Sequence, residues 1–319
     1  MFKKVFSSII LFFGICSTAI FSQEIDNKLN KLNQNNVEID SLDNMPILEK
    51  NKFGNTNAAP VEQRGKEFRK FLAASVKIVI GNTSGSGTIV HYDKDKNLAY
   101  VATCGHLWQK GIMTAEEGKK AKLKCKIVTW YHNDKVLDAP KSYEGDVIFY
   151  SYYTGQDTGL VTFKPDWEPN VFPIGPVDYD YVPGQHAHSL GCDSGSEVAH
   201  YDVTIMKIQE YQAEKINIQT WDIITEKNSP RPGRSGGGMM NDQGEYIGTC
   251  WGTQYRDGTG KGYFVPLKVI HRFWKQQKDY AFLLEQKLPT GSARTIPIID
   301  RGGSKKTYNG DYILLPADK

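Results

Sequence analysis

The 319-residue sequence predicts an all-β fold built from two similar halves. Two observations support this prediction. Short runs of β-branched and aromatic residues are separated by Gly, Asn, Asp and Lys turns, which is typical of a β-barrel or a β-sandwich. These runs form two series, and a proline-rich segment at 164–176 lies between them as a linker. Two β-rich halves around one linker fit a duplicated barrel.

The strands of each half can be placed in order along the chain. After a short helix predicted at 64–75, the strands of the first half are VKIVIG, GTIVHY, LAYVAT, LKCKIVTWYH, DVIFYSYY and GLVTF. Those of the second half are QHAHSLG, VTIMKIQEY, INIQTWDII, GEYIGTCWG and GYFVP. The aromatic share of 12% suits this assignment, because aromatic side chains pack well on pleated sheets.

A helix is predicted after the last strand, over 267–285. Apolar residues recur there with helical spacing and define one buried stripe: Ile270, Phe273, Trp274, Ala281 and Leu284. We expect this helix to pack against the second half of the fold. The remaining residues, 286–319, are predicted to form an irregular tail.

The first 22 residues have the organisation of a secretory signal peptide. A basic start precedes the apolar run VFSSIILFFGIC, which is too short to span a membrane, and a cleavage site follows near Ser22 and Gln23. Residues 23–63 are polar and asparagine-rich, which predicts a disordered leader or pro-segment. We therefore expect a secreted or periplasmic bacterial protein with no stable membrane span once the signal is removed. The alternatives are an uncleaved membrane anchor and a lipoprotein modified at Cys16, against which the bulky Ile15 argues.

The composition is that of an ordinary folded protein, with 39% hydrophobic and 24% charged residues. The formal net charge is +3 and the basic residues are scattered, which argues against a nucleic-acid-binding face. Without the signal peptide, the remaining cysteines could form two disulfides in an oxidising compartment or stay as buried thiols. They are Cys104, Cys125, Cys192 and Cys250.

One serine, Ser235, lies within a run of glycines in the segment PGRSGGGMMNDQGEYIG. Ordering glycine costs backbone entropy, so a glycine-rich turn around one hydroxyl needs a reason. A nucleophilic serine supplies one, because it requires a base, a group that orients the base, and donors for the oxyanion. His106 follows the strand LAYVAT and is the candidate base. Asp157 precedes the strand GLVTF and is the candidate orienting acid; Asp146, which also precedes an apolar run, is the alternative.

The order His, Asp, Ser and the motifs VATCGHL, DTGLV and GRSGGGM resemble those of the trypsin-like, chymotrypsin-fold serine peptidases. The segment SPRPGRSGGGMMNDQGEYIGTCWG is similar to the bacterial branch with HtrA-type and glutamyl-endopeptidase-like enzymes. The resemblance covers about 70–285 and implies two six-stranded antiparallel β-barrels with a C-terminal α-helix. The peptidase domain would span 64–285, with one barrel at about 70–165 and the other at about 172–285. Residues 286–319 are too few for the PDZ domain of an HtrA protein.

The resemblance implies a role for each candidate residue. Ser235 would be the nucleophile and His106 the general base and then acid. Asp157, which carries the family's Asp-x-Gly-Leu-Val sequence that Asp146 lacks, would orient the imidazole. The backbone N–H groups of Gly233 and Ser235 would form the oxyanion hole.

The resemblance also implies a substrate-binding set. The segment Cys250–Trp251–Gly252 would pair with an extended substrate as an added strand. Ser229 would lie near the base of the primary specificity pocket, and Gly252 and Gly262 would line its walls. No carboxylate marks the base and no histidine precedes Trp251, which favours an uncharged P1 residue over Lys, Arg or Glu.

One departure from the family concerns Arg234, directly before the candidate nucleophile. Many family members have an acidic residue there, which pairs with a new N-terminus after zymogen cleavage. Activation by insertion of a freed N-terminus is therefore not expected, although a leader is present.

Two other patterns could indicate different chemistry. His186 and His188 would share one face of a strand and could bind a metal, but no second cluster accompanies them, so no metal is predicted. Cys192 could act as a thiol nucleophile, but its surroundings match no cysteine-protease signature. We therefore predict a secreted serine endopeptidase that acts on a polypeptide substrate without a cofactor. The alternative is a catalytically silent relative that uses the same cleft to bind peptides or an envelope partner.

Overall fold

The fold is described from a computed structural model of the chain. The structure describes residues 69, 72–108, 111–152, 155–193, 196–213, 217–226, 228–255, 260–286, 298–299 and 305–306. The predicted signal peptide, the leader and most of the predicted tail lie outside these residues. The strands are β1 Ser75–Ile80, β2 Thr83–Asp93, β3 Leu98–Thr103, β4 Gly111–Met113, β5 Lys124–His132, β6 Lys135–Tyr152, β7 Thr158–Phe163, β8 His186–Cys192, β9 Val198–Ala213, β10 Ile218–Glu226, β11 Gly238–Met240, β12 Tyr246–Thr253, β13 Gly262–Pro266, β14 Ile298–Ile299 and β15 Lys305–Lys306. The helices are α1 Ala115–Ala121 and α2 Leu267–Trp274, with 3-10 helices at His106–Trp108 and Lys278–Leu284.

Antiparallel pairing closes the first half of the fold into a ring of six strands. Their order is β6-β5-β1-β2-β3-β7, and β7 pairs back onto β6, while the short β4 pairs with the last residues of β6. β-Branched side chains fill the interior, where Val76, Ile78, Ile89 and Val101 are inaccessible to solvent.

The second half is a closed barrel of six antiparallel strands in the order β10-β13-β12-β11-β8-β9. The predicted all-β fold with two six-stranded barrels is therefore confirmed. The proline-rich segment at 164–176 runs along both barrels. Within it, Phe172 N–H donates to Ile89 O and Gly175 N–H to Tyr246 O, each at 2.9 Å.

Asparagines make several of the tight turns between strands. Asn97, Asn133 and Asn217 have φ values of 48°, 56° and 47°, in the left-handed region that asparagine adopts more readily than most residues. They lie in the β2–β3, β5–β6 and β9–β10 connections. The polar turns of the sequence therefore separate these strands correctly, but β6 begins at Lys135, well before the predicted strand DVIFYSYY, and β9 begins at Val198, before the predicted strand VTIMKIQEY.

The sequence reasoning missed the short helix α1, although its start carries a recognisable signal. Thr114 and Glu117 form a capping box, in which Thr114 N–H donates to the Glu117 carboxylate at 2.7 Å and Glu117 N–H donates to the Thr114 hydroxyl at 3.3 Å. The helix ends at Lys122, whose φ is 50°.

The helix predicted over 267–285 is interrupted in the structure. α2 ends at Trp274, and the chain turns at Gln277 before the second 3-10 helix begins. Gln277 is buried, and its side-chain oxygen accepts a hydrogen bond of 2.9 Å from the N–H of Ala115. This contact with the first half of the chain stabilises the turn at the expense of a continuous helix. No helix among the described residues is long and apolar enough to cross a bilayer.

The predicted apolar stripe is correct up to Trp274 and wrong beyond it. Leu283 is fully buried, whereas Ala281 and Leu284 are only partly buried. The indole N–H of Trp274 donates to Thr158 Oγ1 at 3.0 Å, at the start of β7. α2 therefore packs on the first barrel as well as on β12 and β13 of the second.

The sequence left open whether the four cysteines form disulfides or stay as thiols, and in the structure they are thiols. Cys104, Cys125, Cys192 and Cys250 are all buried and unpaired. Packing and hydrogen bonding, without disulfides between these four residues, hold both barrels together.

Candidate active site

The structure brings His106 and Asp157 together at the end of neighbouring strands. β3 and β7 are paired, with Thr103 opposite Gly159, so the residues just after β3 meet those just before β7. His106 Nδ1 lies 2.5 Å from Asp157 Oδ2. The N–H groups of Gly105 and His106 donate to Asp157 Oδ1 at 2.6 and 2.9 Å. These three hydrogen bonds on one buried carboxylate fix the orientation of the imidazole.

Burial, Cys104 and Asp157 together determine the pKa of His106. Burial lowers this pKa, whereas Cys104 and Asp157 raise it, and the net effect is a pKa above the ordinary value. The Cys104 Sγ lies 3.7 Å from His106 Nε2. Burial raises the pKa of the Cys104 thiol, so the sulfur is uncharged near neutral pH. The Asp157 carboxylate is therefore the anion that stabilises the imidazolium.

Ser86 of β2 connects the first barrel to the segment that carries Ser235. Its N–H donates to Ser235 O at 2.7 Å, and its hydroxyl donates to Gly233 O at 2.8 Å. The same hydroxyl accepts a hydrogen bond of 2.7 Å from Cys192 N–H. Ser86 is completely buried, so it holds the backbone around Ser235 at the junction of the barrels. No motif in the sequence analysis pointed to this residue.

The glycine after Ser235 allows the segment to approach the chain that precedes His106. Gly236 has a φ of +88°, and a Cβ there would lie 2.3 Å from Thr103 Oγ1 and 3.0 Å from Cys104 N. Among the described residues, none forms a hydrogen bond with the Ser235 hydroxyl. The nearest partner of His106 Nε2 is instead the Cys104 sulfur. The structure thus brings the two segments together without a hydrogen bond between the candidate nucleophile and base.

Two backbone N–H groups near Ser235, those of Gly233 and Ser235 itself, have no acceptor in the part of the chain that the structure describes. Their neighbours are satisfied, since Arg234 N–H donates to Arg231 O at 3.1 Å and Gly237 N–H to Arg234 O at 2.8 Å. Because the peptide bond between Arg234 and Ser235 is trans, the Ser235 N–H points in the direction opposite to Arg234 O. It therefore points away from Gly237 N–H, which donates to that oxygen. These are the two donors predicted for the oxyanion hole, and that role stays a prediction.

Arg234 is fully buried and forms an ion pair with Asp193, which follows β8. Its Nε lies 2.8 Å from Asp193 Oδ1, and its Nη1 donates to the carbonyls of Ser189 and Ala199 at 3.0 and 3.2 Å. The guanidinium carbon also lies 3.9 Å from the centre of the Tyr201 ring. The second barrel itself therefore fixes the residue before the candidate nucleophile. The sequence analysis singled out Arg234 but did not find this partner.

The residues predicted to form the specificity pocket lie close together. Ser229 is buried, and its Oγ lies 2.8 Å from Thr253 Oγ1. Gly262 is paired with Thr253, and a Cβ there would lie 2.6 Å from both Pro230 Cδ and Thr225 Oγ1. The hydroxyls of Thr225 and Thr253, which the sequence analysis did not name, lie against Gly262 and Ser229. The role of these residues as a specificity pocket stays a prediction.

The segment predicted to bind substrate as an added strand belongs to β12. The backbone of Cys250 is already bonded to the glycine run, through Gly237 O at 2.8 Å and Gly236 N–H at 2.7 Å. The ladder to β13 shifts register between Cys250 and Gly252, which leaves Trp251 in a bulge. Pairing of this segment with a substrate stays a prediction.

A cleft of about 220 Å³ lies beside the histidine–aspartate pair. Its lining includes His106, Tyr152, Asp157 and Trp251. The indole N–H of Trp251 donates to Asp222 Oδ1 at 3.1 Å, and burial raises the pKa of Asp222 to about 6. Tyr152 and Asp222 belong to no motif, so sequence reasoning could not identify them.

The alternatives considered for the nucleophile and the acid are located elsewhere. Asp146 lies on β6 with its side chain half exposed and pairs with Lys124 at 2.8 Å. Cys192 is buried, which raises the pKa of its thiol to about 12 and makes it a poor nucleophile.

The premise that no second cluster accompanies His186 and His188 is wrong. Strand pairing brings His200 and Asp202 to this pair, and Asp242 approaches it as well.

Two closed six-stranded barrels of this kind define the chymotrypsin-like fold. The family model described as trypsin-like peptidase domain matches residues 85–248, and the chain belongs to that family. The matched region contains His106, Asp157 and Ser235. The expected membership is therefore confirmed.

Several solved structures resemble the chain, all with low identity. The crystal structure of the Rv3671c protease in an inactive form has 15% identity and a TM-score of 0.48, and the match covers 69% of this chain and 96% of that one. The crystal structure of Deg5 has 19% identity and a TM-score of 0.46, and the match covers 66% of this chain and 91% of that one. The apo MamO protease domain from Magnetospirillum magneticum has 17% identity and a TM-score of 0.45, and the match covers 63% of this chain and 96% of that one. No curated protein matches the chain.

Proposed function

We propose that the protein is a secreted serine endopeptidase that cleaves peptide bonds through an acyl-enzyme. The observation that carries the proposal is the contact between His106 and Asp157, in which a buried carboxylate orients the imidazole that a serine peptidase needs as its base. Family membership supports a polypeptide substrate. Secretion rests on the signal peptide predicted from the first 22 residues.

In the proposed mechanism, Ser235 Oγ attacks the carbonyl carbon of the scissile bond while its proton passes to His106 Nε2. The resulting oxyanion accepts hydrogen bonds from the N–H groups of Gly233 and Ser235. The imidazolium then gives its proton to the leaving amine, and Asp157 stabilises the positive charge meanwhile. A water molecule, activated by the same imidazole, hydrolyses the acyl-enzyme and regenerates the serine.

The mechanism requires the Ser235 hydroxyl to reach His106 Nε2. In the structure this nitrogen contacts the Cys104 sulfur at 3.7 Å. Rotation about the Cα–Cβ bond of Ser235 moves only one oxygen atom, and catalytic hydrogen bonds are often long or misaligned until substrate is bound. The proposal therefore includes this rotation.

The pocket lining supports a preference for an uncharged P1 residue. The side chains of Ser229, Thr225 and Thr253 are polar but uncharged, so they supply no counter-charge. A charged P1 side chain would lose its hydration there without an ionic partner. Cleavage of a peptide library tests this preference, and dominant cleavage after Lys, Arg or Glu would contradict it.

One observation favours a second candidate function. The absent hydrogen bond between His106 and the Ser235 hydroxyl is what a catalytically silent relative would show. Such a protein would use the cleft beside Trp251 to bind peptides or an envelope partner.

A fluorophosphonate probe separates the two candidates, because it reacts only with an activated serine. The full-length chain, exported by a bacterial host, is incubated with the probe and the adduct is located by mass spectrometry. We expect an adduct at Ser235 that Ser235→Ala abolishes and that Ser142→Ala, a change on β6, leaves in place. Folded protein without an adduct at Ser235 would leave the binding function.

A further inference from the structure

Strand pairing gathers five side chains with metal-ligating atoms on one face of the second barrel. Alternate residues of a strand share a face, so His186 and His188 lie together on β8, and His200 and Asp202 lie together on β9. The register places His188 directly opposite Asp202. Asp242 joins them from the turn after β11, the strand on the other side of β8.

Three of these side chains form a triangle of the size that a tetrahedral metal ion requires. His188 Nδ1 lies 2.9 Å from His200 Nε2, and Asp202 Oδ1 lies 3.7 Å from the first nitrogen and 3.5 Å from the second. Ligand atoms bound tetrahedrally to zinc at their usual distances lie about 3.3 Å from one another. Each edge of the triangle therefore needs to change by about 0.4 Å or less to hold such an ion.

The Asp242 carboxylate contacts one ring nitrogen of each histidine on β8. Its Oδ1 lies 3.0 Å from His188 Nε2 and 2.9 Å from His186 Nδ1. A carboxylate on one nitrogen of a histidine keeps the proton there and leaves the other nitrogen's lone pair for a metal, an arrangement that recurs around metal ligands. His188 thereby directs Nδ1 towards His200 and Asp202. His186 directs Nε2 to within 3.1 Å of the same Asp202 oxygen.

The exposure of the side chains fits an ion that enters from solvent and binds on buried nitrogen. Those of His188 and His200 are 1% and 10% exposed, whereas those of Asp202 and Asp242 are 45% and 50% exposed. Imidazole nitrogens with one carboxylate suit zinc and its neighbours in the first transition row, whereas calcium and magnesium prefer sites made of oxygen alone.

We propose that His188, His200 and Asp202 bind one divalent transition-metal ion of the zinc class, with a water molecule in the fourth position. Asp242 is a positioning residue that orients the two histidines of β8.

The site is adjacent to the contacts that hold Arg234. The carbonyls of Ser189 and Ala199, which accept hydrogen bonds from Arg234, belong to the residues that follow His188 and precede His200. An ion that ties β8 to β9 would therefore stiffen the frame around the residue before Ser235.

The test uses the full chain without a polyhistidine tag, stripped with EDTA and titrated with Co²⁺ and then Zn²⁺. We expect one equivalent of Co²⁺ with the intense visible absorption of four-coordinate cobalt, its displacement by Zn²⁺, and a higher Tm with Zn²⁺. Asp202→Asn and His200→Gln should abolish stoichiometric binding. Asp242→Asn should weaken it about 10- to 100-fold.

Two controls exclude other sites on the chain. His132→Gln changes a histidine of the first barrel, and His106→Gln removes one member of another group with ligating atoms, Cys104, His106 and Asp157. Both variants should keep the binding. Absence of stoichiometric binding to the folded chain, unchanged binding in Asp202→Asn, or loss of binding in His106→Gln would overturn the proposal. Asp202 is half exposed, so its variant carries the test if His200→Gln does not fold.

Discussion

Arg234 and Asp193 form an ion pair inside the second barrel, with Nε and Oδ1 2.8 Å apart and both side chains almost completely shielded from water. The Asp193 carboxylate holds the Arg234 side chain in place, and Arg234 directly precedes Ser235. The ion pair therefore fixes the backbone before Ser235. Removing one partner of a buried pair leaves the other charge without compensation, which makes the pair a sensitive point in the fold.

Arg234→Met and Asp193→Asn should each lower the free energy of unfolding by about 3–5 kcal/mol. Replacing both residues by apolar ones should cost less than the sum of the single changes, because no uncompensated charge remains. Urea unfolding measures these values. Lys124→Ala is the control: it removes exposed pairs with Glu144 and Asp146 and should cost about 1 kcal/mol or less. Similar small losses for all variants would contradict the view that the buried pair matters.

Asp157→Asn should reduce peptidase activity about 10⁴-fold while the chain stays folded, since the orienting carboxylate sets the tautomer of His106. Asp146→Asn is a matched control, because Asp146 pairs with Lys124 at the surface. It should leave kcat/KM unchanged. Equal losses for the two variants would mean that the wrong carboxylate has been assigned.

The pH dependence of probe labelling should report the pKa of His106. The imidazole must be neutral to accept the proton of Ser235, so the labelling rate rises as the pH rises through this pKa. Cys104 and Asp157 raise this pKa, so the midpoint should lie above the ordinary value of 6.5. In Asp157→Asn the residual rate should have a lower midpoint, because burial then acts without the anion. A wild-type midpoint below 6.5 would contradict the assignment.

Gly236→Ala should destabilise the protein more than Gly184→Ala, although the two φ values, +88° and +86°, are nearly equal. A Cβ at Gly184 meets nothing within 4 Å, so that variant measures the left-handed backbone cost alone, about 1–2 kcal/mol. At Gly236 the new atom would lie 2.1 Å from Ser86 O, and the backbone must move. Urea unfolding gives both costs, and equal values would argue against a close approach at Gly236.

Ser86→Ala should lower kcat more than it raises KM. It removes the hydrogen bond that the hydroxyl gives to Gly233 O and the one it receives from Cys192 N–H. Both hold the backbone that presents the proposed oxyanion donors, which act in the transition state. Steady-state kinetics on a peptide substrate measure the effect, with Ser142→Ala as the control. A change confined to KM would assign Ser86 to substrate binding instead.

The fold class and the meeting of His106 with Asp157 could be predicted because they depend on local patterns. Strand runs and polar turns are visible in a short window, and both residues lie directly at strand ends. The helix beyond Trp274 could not be predicted in the same way. There the buried hydrogen bond between Gln277 and Ala115 overrides a helical spacing that is real in the sequence.

The partner of Arg234 and the histidine cluster could not be predicted, because they depend on which strands pair and in which register. A shift of one residue in β9 would turn Asp202 to the opposite face of the sheet. Asp193 is 41 residues from Arg234 in the sequence and belongs to no motif. A single sequence does not contain this information in readable form.

The four buried thiols are distributed evenly, with Cys104 and Cys125 in one apolar core and Cys192 and Cys250 in the other. A thiol reagent reaches a buried sulfur only when the surrounding structure opens. The alkylation rates of the individual cysteines are therefore natural reporters of opening in each half, without any engineered label. Comparing the alkylation rates under native conditions would reveal whether the two barrels open together or independently.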